Sequence, residues 1–162
     1  MALGSIITLI LFRKKRMDLY YTKGKVEKSA ELCRKFLEKL KEGRASALSE
    51  RYENNKDIHI EDIIEAVNDE DVLAIEVIEE IGTVLGRAIA GLINIFNPEL
   101  IIIGGNVSSA REYLLLPIKS AIQKHSLNII NSDTTIKISK LGKKAGSIGS
   151  CMLSRSKLLG LL

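Results

Sequence analysis

Residues 94–106 read Asn94-Ile95-Phe96-Asn97-Pro98-Glu99-Leu100-Ile101-Ile102-Ile103-Gly104-Gly105-Asn106. The β-branched run 101–103 is bounded by Pro98 and by two glycines, which is typical of a strand covered on both faces, as in a parallel sheet. Gly104 and Gly105 carry no Cβ, so their backbone reaches conformations closed to other residues and a flat ligand can approach it. Because nucleotides often bind at such strand ends, the stretch predicts an α/β fold with a ligand site here.

A long amphipathic helix is predicted before this strand. Asp69 is a suitable N-cap, and a helix from there to about Phe96 would be roughly 40 Å long at 1.5 Å per residue. Gly82, Gly86 and Ala90 recur every four residues and so lie on one side of the helix. A glycine inside a helix costs about 1 kcal/mol relative to alanine. Either another helix packs closely on this side, or a ligand contacts the backbone there.

The elements around this core are also predicted from periodicity. Residues 26–41 and 60–67 have helical apolar spacing. After the glycine pair, Ser108 or Ser109 is expected to cap a helix that ends near His125. Residues 134–139 alternate as a strand, Gly142 turns the chain, and a last helix begins at Ala145. The order helix, strand, helix, strand, helix predicts two parallel strands joined by a crossover.

Composition and charge are those of an ordinary globular protein. The chain has 162 residues, 46% of them hydrophobic and 27% charged, and this size suits one domain or a fragment of a larger one. Charge is segregated, because residues 1–44 hold 12 Lys/Arg against 5 Asp/Glu, whereas residues 45–99 hold 3 against 13. A basic surface can attract nucleic acid. Without interleaved aromatics or a recognition helix, a solvated or self-associating surface is the favoured interpretation.

Several kinds of site are disfavoured by the residues present. Cys33 and Cys151 form no CxxC pair, so no zinc site is expected, and free thiols suit a reducing, cytoplasmic location. The apolar run 6–12 is too short to span a membrane. No G-x-G-x-x-G or P-loop motif occurs. His59 and His125 are expected to be exposed, and the acidic residues of 61–71 are expected to be solvated and to hold no metal.

Three segments together resemble the C-terminal part of the ROK family (repressor, open reading frame, kinase). They are residues 80–94 (EIGTVLGRAIAGLIN), 97–105 (NPELIIIGG) and 141–150, which contains Ala145-Gly146-Ser147-Ile148-Gly149-Ser150. The family has an actin-like, hexokinase-like ATPase (ribonuclease H-like) fold, so the resemblance implies its C-terminal lobe, helix-rich with a small, partly parallel sheet. Residues 25–162 are assigned to this lobe, and residues 1–24 are a leader or a divergent segment.

The resemblance also implies a nucleotide site. Gly104 and Gly105 match the adenosine-binding turn of the family's kinases, and Asn106 stands where a small residue is common. Gly146 belongs to a terminal glycine motif that packs close to the same site. ATP or ADP is therefore the expected cofactor, if the chain binds one at all.

Catalysis by this chain is not expected. The family's kinases carry an N-terminal D-x-G-x-T phosphate loop, an H-x-G-x-E sugar motif and a C-x-C-G-x-x-G-C zinc cluster, and the sequence contains none of these. Phosphoryl transfer requires such positioning and charge stabilisation.

The resemblance is greatest to sugar-responsive transcriptional regulators. It implies a lobe that responds to an effector sugar or nucleotide and forms a dimer, and that meets DNA only through an N-terminal domain outside these residues. The alternatives are the nucleotide-binding lobe of a sugar kinase and a free-standing dimerisation module.

Overall fold

The computed structural model describes residues 8–13, 16–22, 28–54, 56–127, 134–141 and 144–160. Four strands are described: β1 (Thr8–Arg13), β2 (Arg16–Thr22), β3 (Leu100–Gly104) and β4 (Thr135–Ile138). The helices are α1 (Lys28–Lys41), α2 (Ser49–Glu53), α3 (Ile60–Asn68), α4 (Val72–Phe96), α5 (Glu112–His125) and α6 (Ala145–Leu158), and a 3₁₀ helix spans Asn106–Ala110. The predicted start at Val26 and the turn at Gly142 lie outside the described residues.

The strands form one mixed sheet in the order β2-β1-β3-β4. β3 runs parallel to β4, with Ile101 opposite Ile136, and α5 lies between them in the chain. β3 runs antiparallel to β1, and β1 pairs with β2 as a hairpin. The predicted parallel crossover is confirmed, as is the helix-rich α/β fold with a small, partly parallel sheet.

β3 is an interior strand, but it is not covered equally on its two faces. Ile101 and Ile103 are fully buried, whereas Leu100 and Ile102 are half-buried. The prediction of a strand covered on both faces is therefore right for one face and only half right for the other. β1 borders β3 on one side and β2 lies beyond β1, although the resemblance left residues 1–24 unassigned.

α4 begins two residues later than predicted. Its N-cap is Asp71, whose carboxylate accepts a hydrogen bond from the Ala74 backbone N–H at 2.8 Å. Asp69 is instead the residue that ends α3. Between them Glu70 has a left-handed φ of 63°, which breaks the helical path and separates α3 from α4. At its other end α4 stops at Asn97, which is also left-handed.

α4 and α5 pack closely against each other. A Cβ added to Gly82 would lie 2.7 Å from the Pro117 ring, and one added to Gly86 would lie 2.7 Å from the Ile118 carbonyl oxygen. The glycine face of α4 therefore packs against another helix, which decides between the two interpretations of the sequence. Buried residues of α1, α3, α4, α5 and β3 complete one continuous core.

Ion pairs join α1 to α4 across the surface of this core. Lys39 Nζ lies 2.6 Å from Glu76 and 2.5 Å from Glu80, and Lys35 Nζ lies 3.2 Å from Glu80. Arg44 also pairs with Glu76. Some basic residues of the N-terminal segment therefore pair with acidic residues of α4 in the same chain. Hydrogen bonds from Lys39 hold the pKa of both glutamates below its ordinary value, against the opposing effect of burial.

We expect Lys39→Met to lower the free energy of unfolding by about 1 kcal/mol at pH 7 in low salt, because its ammonium joins two carboxylates in a half-buried setting. A carboxylate with a lowered pKa stabilises the folded state above its unfolded pKa, near 4.5, and this contribution is lost as the pH falls through the folded value. The variant should therefore lose less stability than the wild type between pH 6 and about pH 4. Urea unfolding at several pH values measures this.

Lys41→Met is the matched comparison, since Lys41 is exposed at the end of the same helix. It should leave the unfolding midpoint within about 0.5 kcal/mol of the wild type. Equal losses in the two variants would show that the α1–α4 ion pairs do not stabilise the fold.

Among the described residues, no helix is both long and apolar enough to cross a membrane.

Candidate functional site

The candidate site begins where β3 ends. Gly104, the last residue of the strand, is buried and pairs with Thr8 of β1. Gly105 follows with φ 102° and ψ 178°, a combination that is essentially restricted to glycine. The glycine pair predicted from the sequence is therefore required by the backbone itself, at least at its second position.

A short 3₁₀ helix then holds the turn in place. The Ser108 hydroxyl donates a hydrogen bond to the Gly105 carbonyl oxygen at 2.6 Å, and the Ser108 backbone N–H donates to the same oxygen at 3.2 Å. Ser108 is only 3% exposed, and Val107 and Ala110 beside it are buried in the core. The turn is thus fixed on one side by buried side chains and by a hydroxyl.

This arrangement corrects the prediction that Ser108 or Ser109 caps the following helix. α5 begins only after Arg111, whose φ of 48° is left-handed, and no side chain caps it. Ser108 bonds backwards to Gly105 instead. A hydroxyl next to a glycine turn can serve either purpose, and the sequence alone does not distinguish them.

α3 packs against the 3₁₀ helix and supplies a second polar wall. The Asn106 side-chain amide donates a hydrogen bond to Glu61 Oε1 at 3.1 Å. Glu61 is exposed and Asn106 is half-buried, so this pair lies at the rim of the turn. Glu61 was expected only as part of a solvated acidic face, and its contact with Asn106 joins residues 45 positions apart.

The first turn of α3 is held by its own contacts. The His59 backbone N–H donates to Asp62 Oδ2 at 2.8 Å, and Arg51 lies 2.6 Å from Asp62 Oδ1. Burial raises the pKa of Asp62, but these two donors outweigh it and leave the pKa lowered. Asp62 is therefore an anionic anchor for the helix on which Glu61 stands.

Cys33 lies beside this end of α3, and its thiol is unsuited to nucleophilic chemistry. Burial raises its pKa, and the negative charges of Glu61 and Asp62 raise it further. A thiolate is the reactive form, so this environment disfavours reaction. His59 and His125 are exposed, as predicted.

Gly146, the remaining predicted site residue, lies in the first turn of α6. None of the larger packing contacts among the described elements involves α6, so Gly146 is not joined to the turn through one of them. Gly104, Gly105 and Asn106 are brought together simply because they are consecutive. The site as described offers the half-buried backbone of Gly105, an amide and a carboxylate, which suit ligand binding.

A model of the ROK family matches residues 33–157 of the chain. Over 132 residues the chain is 33% identical to a glucokinase of Halalkalibacterium halodurans, which covers 82% of this chain and 40% of that protein. Over 106 residues it is 36% identical to the DNA-binding transcriptional dual regulator NagC of Escherichia coli K12, covering 65% of this chain and 26% of that protein. The matched part of the chain therefore spans 40% or less of the length of these relatives.

Solved structures give the same result. A ROK family transcriptional regulator, a homologue of the E. coli Mlc protein, aligns with a TM-score of 0.63 and 35% identity over 68% of this chain and 27% of its own. A protein described as a sugar kinase of Cytophaga hutchinsonii aligns with a TM-score of 0.66 over 78% of this chain and 41% of its own. At 23% identity the second match establishes the fold alone. The fold is that of the C-terminal lobe of an actin-like, hexokinase-like ATPase.

Proposed function

The chain belongs to the ROK family, and from that premise we propose that it is the C-terminal lobe of a sugar-responsive transcriptional regulator, acting in the cytoplasm without catalysis of its own. In this role it forms one wall of a cleft that binds a nucleotide or an effector sugar, and it forms dimers. The relatives that it matches include both repressors and glucokinases. DNA would be met through a separate domain of the complete protein.

The turn after β3 is the main support for a ligand-binding role. Gly105, half-buried at the end of an interior strand, has a backbone conformation that is essentially restricted to glycine. Such strand ends are where α/β sheets bind nucleotides. ATP or ADP, held by Gly104, Gly105 and Asn106 and, as the family resemblance implies, by Gly146, is the proposed ligand.

A sugar kinase lobe is the second candidate. The match to the glucokinase covers 82% of this chain, whereas the match to NagC covers 65%. In that case the lobe would contribute the nucleotide half of the site. The sugar-binding residues and the catalytic base would come from the rest of the protein. The H-x-G-x-E sugar motif and the D-x-G-x-T phosphate loop do not occur in these 162 residues.

Titration of the ¹⁵N-labelled chain with ATP and with ADP tests the binding role. We expect saturable shifts of the amide signals of Gly104, Gly105 and Asn106 at millimolar ligand, because one lobe supplies only part of the contacts of a full cleft. Shifts confined to other regions, or none up to 10 mM as a rough upper limit, would contradict it. Glucose and N-acetylglucosamine are titrated in parallel as effector probes.

Two further measurements on the same sample test the absence of catalysis and the self-association. No sugar phosphate should form when the chain is incubated with ATP, Mg²⁺ and glucose, and its appearance would refute the non-catalytic proposal. Sedimentation equilibrium should give twice the chain mass of 17.9 kDa. Apolar side chains on α6, such as Met152, Leu153 and Leu158, are exposed and favour self-association.

A further inference from the structure

We propose that Ser108 is a positioning residue of the nucleotide site, whose buried hydroxyl holds the peptide unit between Gly105 and Asn106 in the orientation that receives the nucleoside. This inference rests on the nucleotide-binding role proposed above. It assigns to the site a residue that does not touch the ligand and that acts through the glycine turn.

The burial of Ser108 is the first observation behind this role. Among the described residues it is the one polar side chain that is buried, with 3% of its surface exposed. Its Oγ lies 2.6 Å from the Gly105 carbonyl oxygen, which also accepts the Ser108 backbone N–H at 3.2 Å. A buried hydroxyl lowers stability unless it is hydrogen-bonded, so the cost of burial largely offsets the gain from the bond.

An alanine would serve the packing equally well at this position. Ala110 is fully buried in the same 3₁₀ helix, so a methyl side chain fits this part of the core. Without the hydroxyl, the Gly105 carbonyl oxygen would still accept the backbone N–H of residue 108. The fold therefore gains little from the hydroxyl, and its effect is on the orientation of the turn.

Two hydrogen bonds to one oxygen restrict rotation of the peptide unit more than one does. Gly105 has no Cβ, so many backbone conformations other than its observed φ 102° and ψ 178° are open to it. The peptide unit that follows is planar and trans, so its carbonyl oxygen and the Asn106 N–H point in opposite directions. Holding the oxygen on Ser108 therefore sets the direction of that N–H as well. A turn ordered in advance loses less conformational freedom when a ligand binds.

The test measures ATP affinity and the environment of the Gly105 carbonyl in Ser108→Ala. We expect the Kd for ATP to rise about fivefold, as for the loss of one neutral hydrogen bond. The ¹³C signal of the Gly105 carbonyl should move upfield, because its oxygen then accepts one hydrogen bond instead of two. The urea unfolding midpoint should stay within about 0.5 M of the wild type, since the backbone N–H still satisfies the oxygen. Amide shifts in titrations give the affinity.

Ser126→Ala is the matched variant, because it removes the same kind of bond away from the turn. The Ser126 hydroxyl donates to the Ile122 carbonyl oxygen at 2.7 Å, and the residue is half-buried at the other end of α5. This variant should keep both the wild-type ATP affinity and the wild-type Gly105 signal. Ser108→Thr retains the hydroxyl and should bring the Kd back to within about twofold of the wild type. If its added methyl group prevents folding, Ser108→Cys, a weaker donor, should give an intermediate Kd.

Each contrary result overturns a different step. An unchanged Gly105 signal in Ser108→Ala would show that the hydroxyl does not hold the carbonyl. A moved signal with unchanged ATP affinity would show that the hydroxyl does not position the turn for the ligand, while nucleotide binding itself would stand. Equal weakening in Ser126→Ala would attribute the loss to general destabilisation. Failure of the wild type to bind ATP would overturn the nucleotide proposal, and this inference with it.

Discussion

Gly86→Ala is expected to lower the free energy of unfolding by about 3 kcal/mol, although alanine is the better helix former. The added Cβ would lie 2.7 Å from the Ile118 carbonyl oxygen, 2.7 Å from the Ala121 Cβ and 3.0 Å from the Ile118 Cα. Two of these atoms belong to the backbone of α5, so no side-chain rotation relieves the overlap. α5 must move away from α4, and the packing along their whole contact is weakened.

Gly91→Ala provides the comparison on the same helix. Nothing lies within 4 Å of a Cβ added there, so the variant should gain up to about 1 kcal/mol from helix propensity alone. Guanidinium unfolding of both variants measures the difference, which we expect to be near 4 kcal/mol. If both variants were stabilised equally, α4 and α5 would have to lie further apart than the structure places them.

The parts of the fold that could be predicted are those that follow from the local spacing of apolar residues. Helical spacing gave the long helix and its end near Phe96, and alternation gave the strand of residues 134–139 within one residue at each end. The start of α4 was missed because three acidic residues, Asp69, Glu70 and Asp71, can each occupy a first turn. The left-handed φ of Glu70 decides between them, and no side-chain pattern encodes it.

The buried face of α4 was predicted only in part. The apolar spacing predicts a buried face made of Ile75, Ile78, Ile81, Leu85, Ala88, Ile89, Leu92, Ile93 and Phe96. Ile78, Ile81, Leu85, Ile89 and Ile93 are buried, Ile75 and Leu92 are half-buried, and Ala88 and Phe96 are exposed. Leu73, Ala74 and Val77 are buried without having been expected. Periodicity gives one stripe, whereas α4 is packed by α1, α3 and α5 on different sides. Burial on several sides depends on where those helices lie, which is tertiary information.

The candidate site could likewise be predicted only where it depends on neighbouring residues in the sequence. The glycine turn was visible because Gly104 and Gly105 follow a β-branched run directly. Glu61 was not, because its relation to Asn106 spans 45 residues and appears only when α3 is placed on the 3₁₀ helix. Its sequence context, next to Asp62 and Glu65, is that of a solvated acidic face.

Gly105→Ala is expected to lower the free energy of unfolding by about 2 to 3 kcal/mol and to abolish measurable ATP binding. The residue has φ 102° and ψ 178°, which an L side chain adopts only under strain. Relief of that strain rotates the peptide unit whose carbonyl oxygen accepts both hydrogen bonds from Ser108. Since Asn106 is the next residue, its amide and the bond to Glu61 are displaced as well.

Gly43→Ala separates backbone strain from an effect on the site. Gly43 also has a left-handed φ, 85°, with nothing within 4 Å of an added Cβ, and it lies just after α1. Its replacement should cost about 1 kcal/mol and leave ATP affinity unchanged. Urea unfolding and amide titration are measured on both variants. An unchanged unfolding midpoint for Gly105→Ala would refute the backbone conformation of the turn. A lowered midpoint with normal ATP affinity would show that the turn is not part of the binding site, because distortion of the turn would then leave the contacts with ATP unchanged.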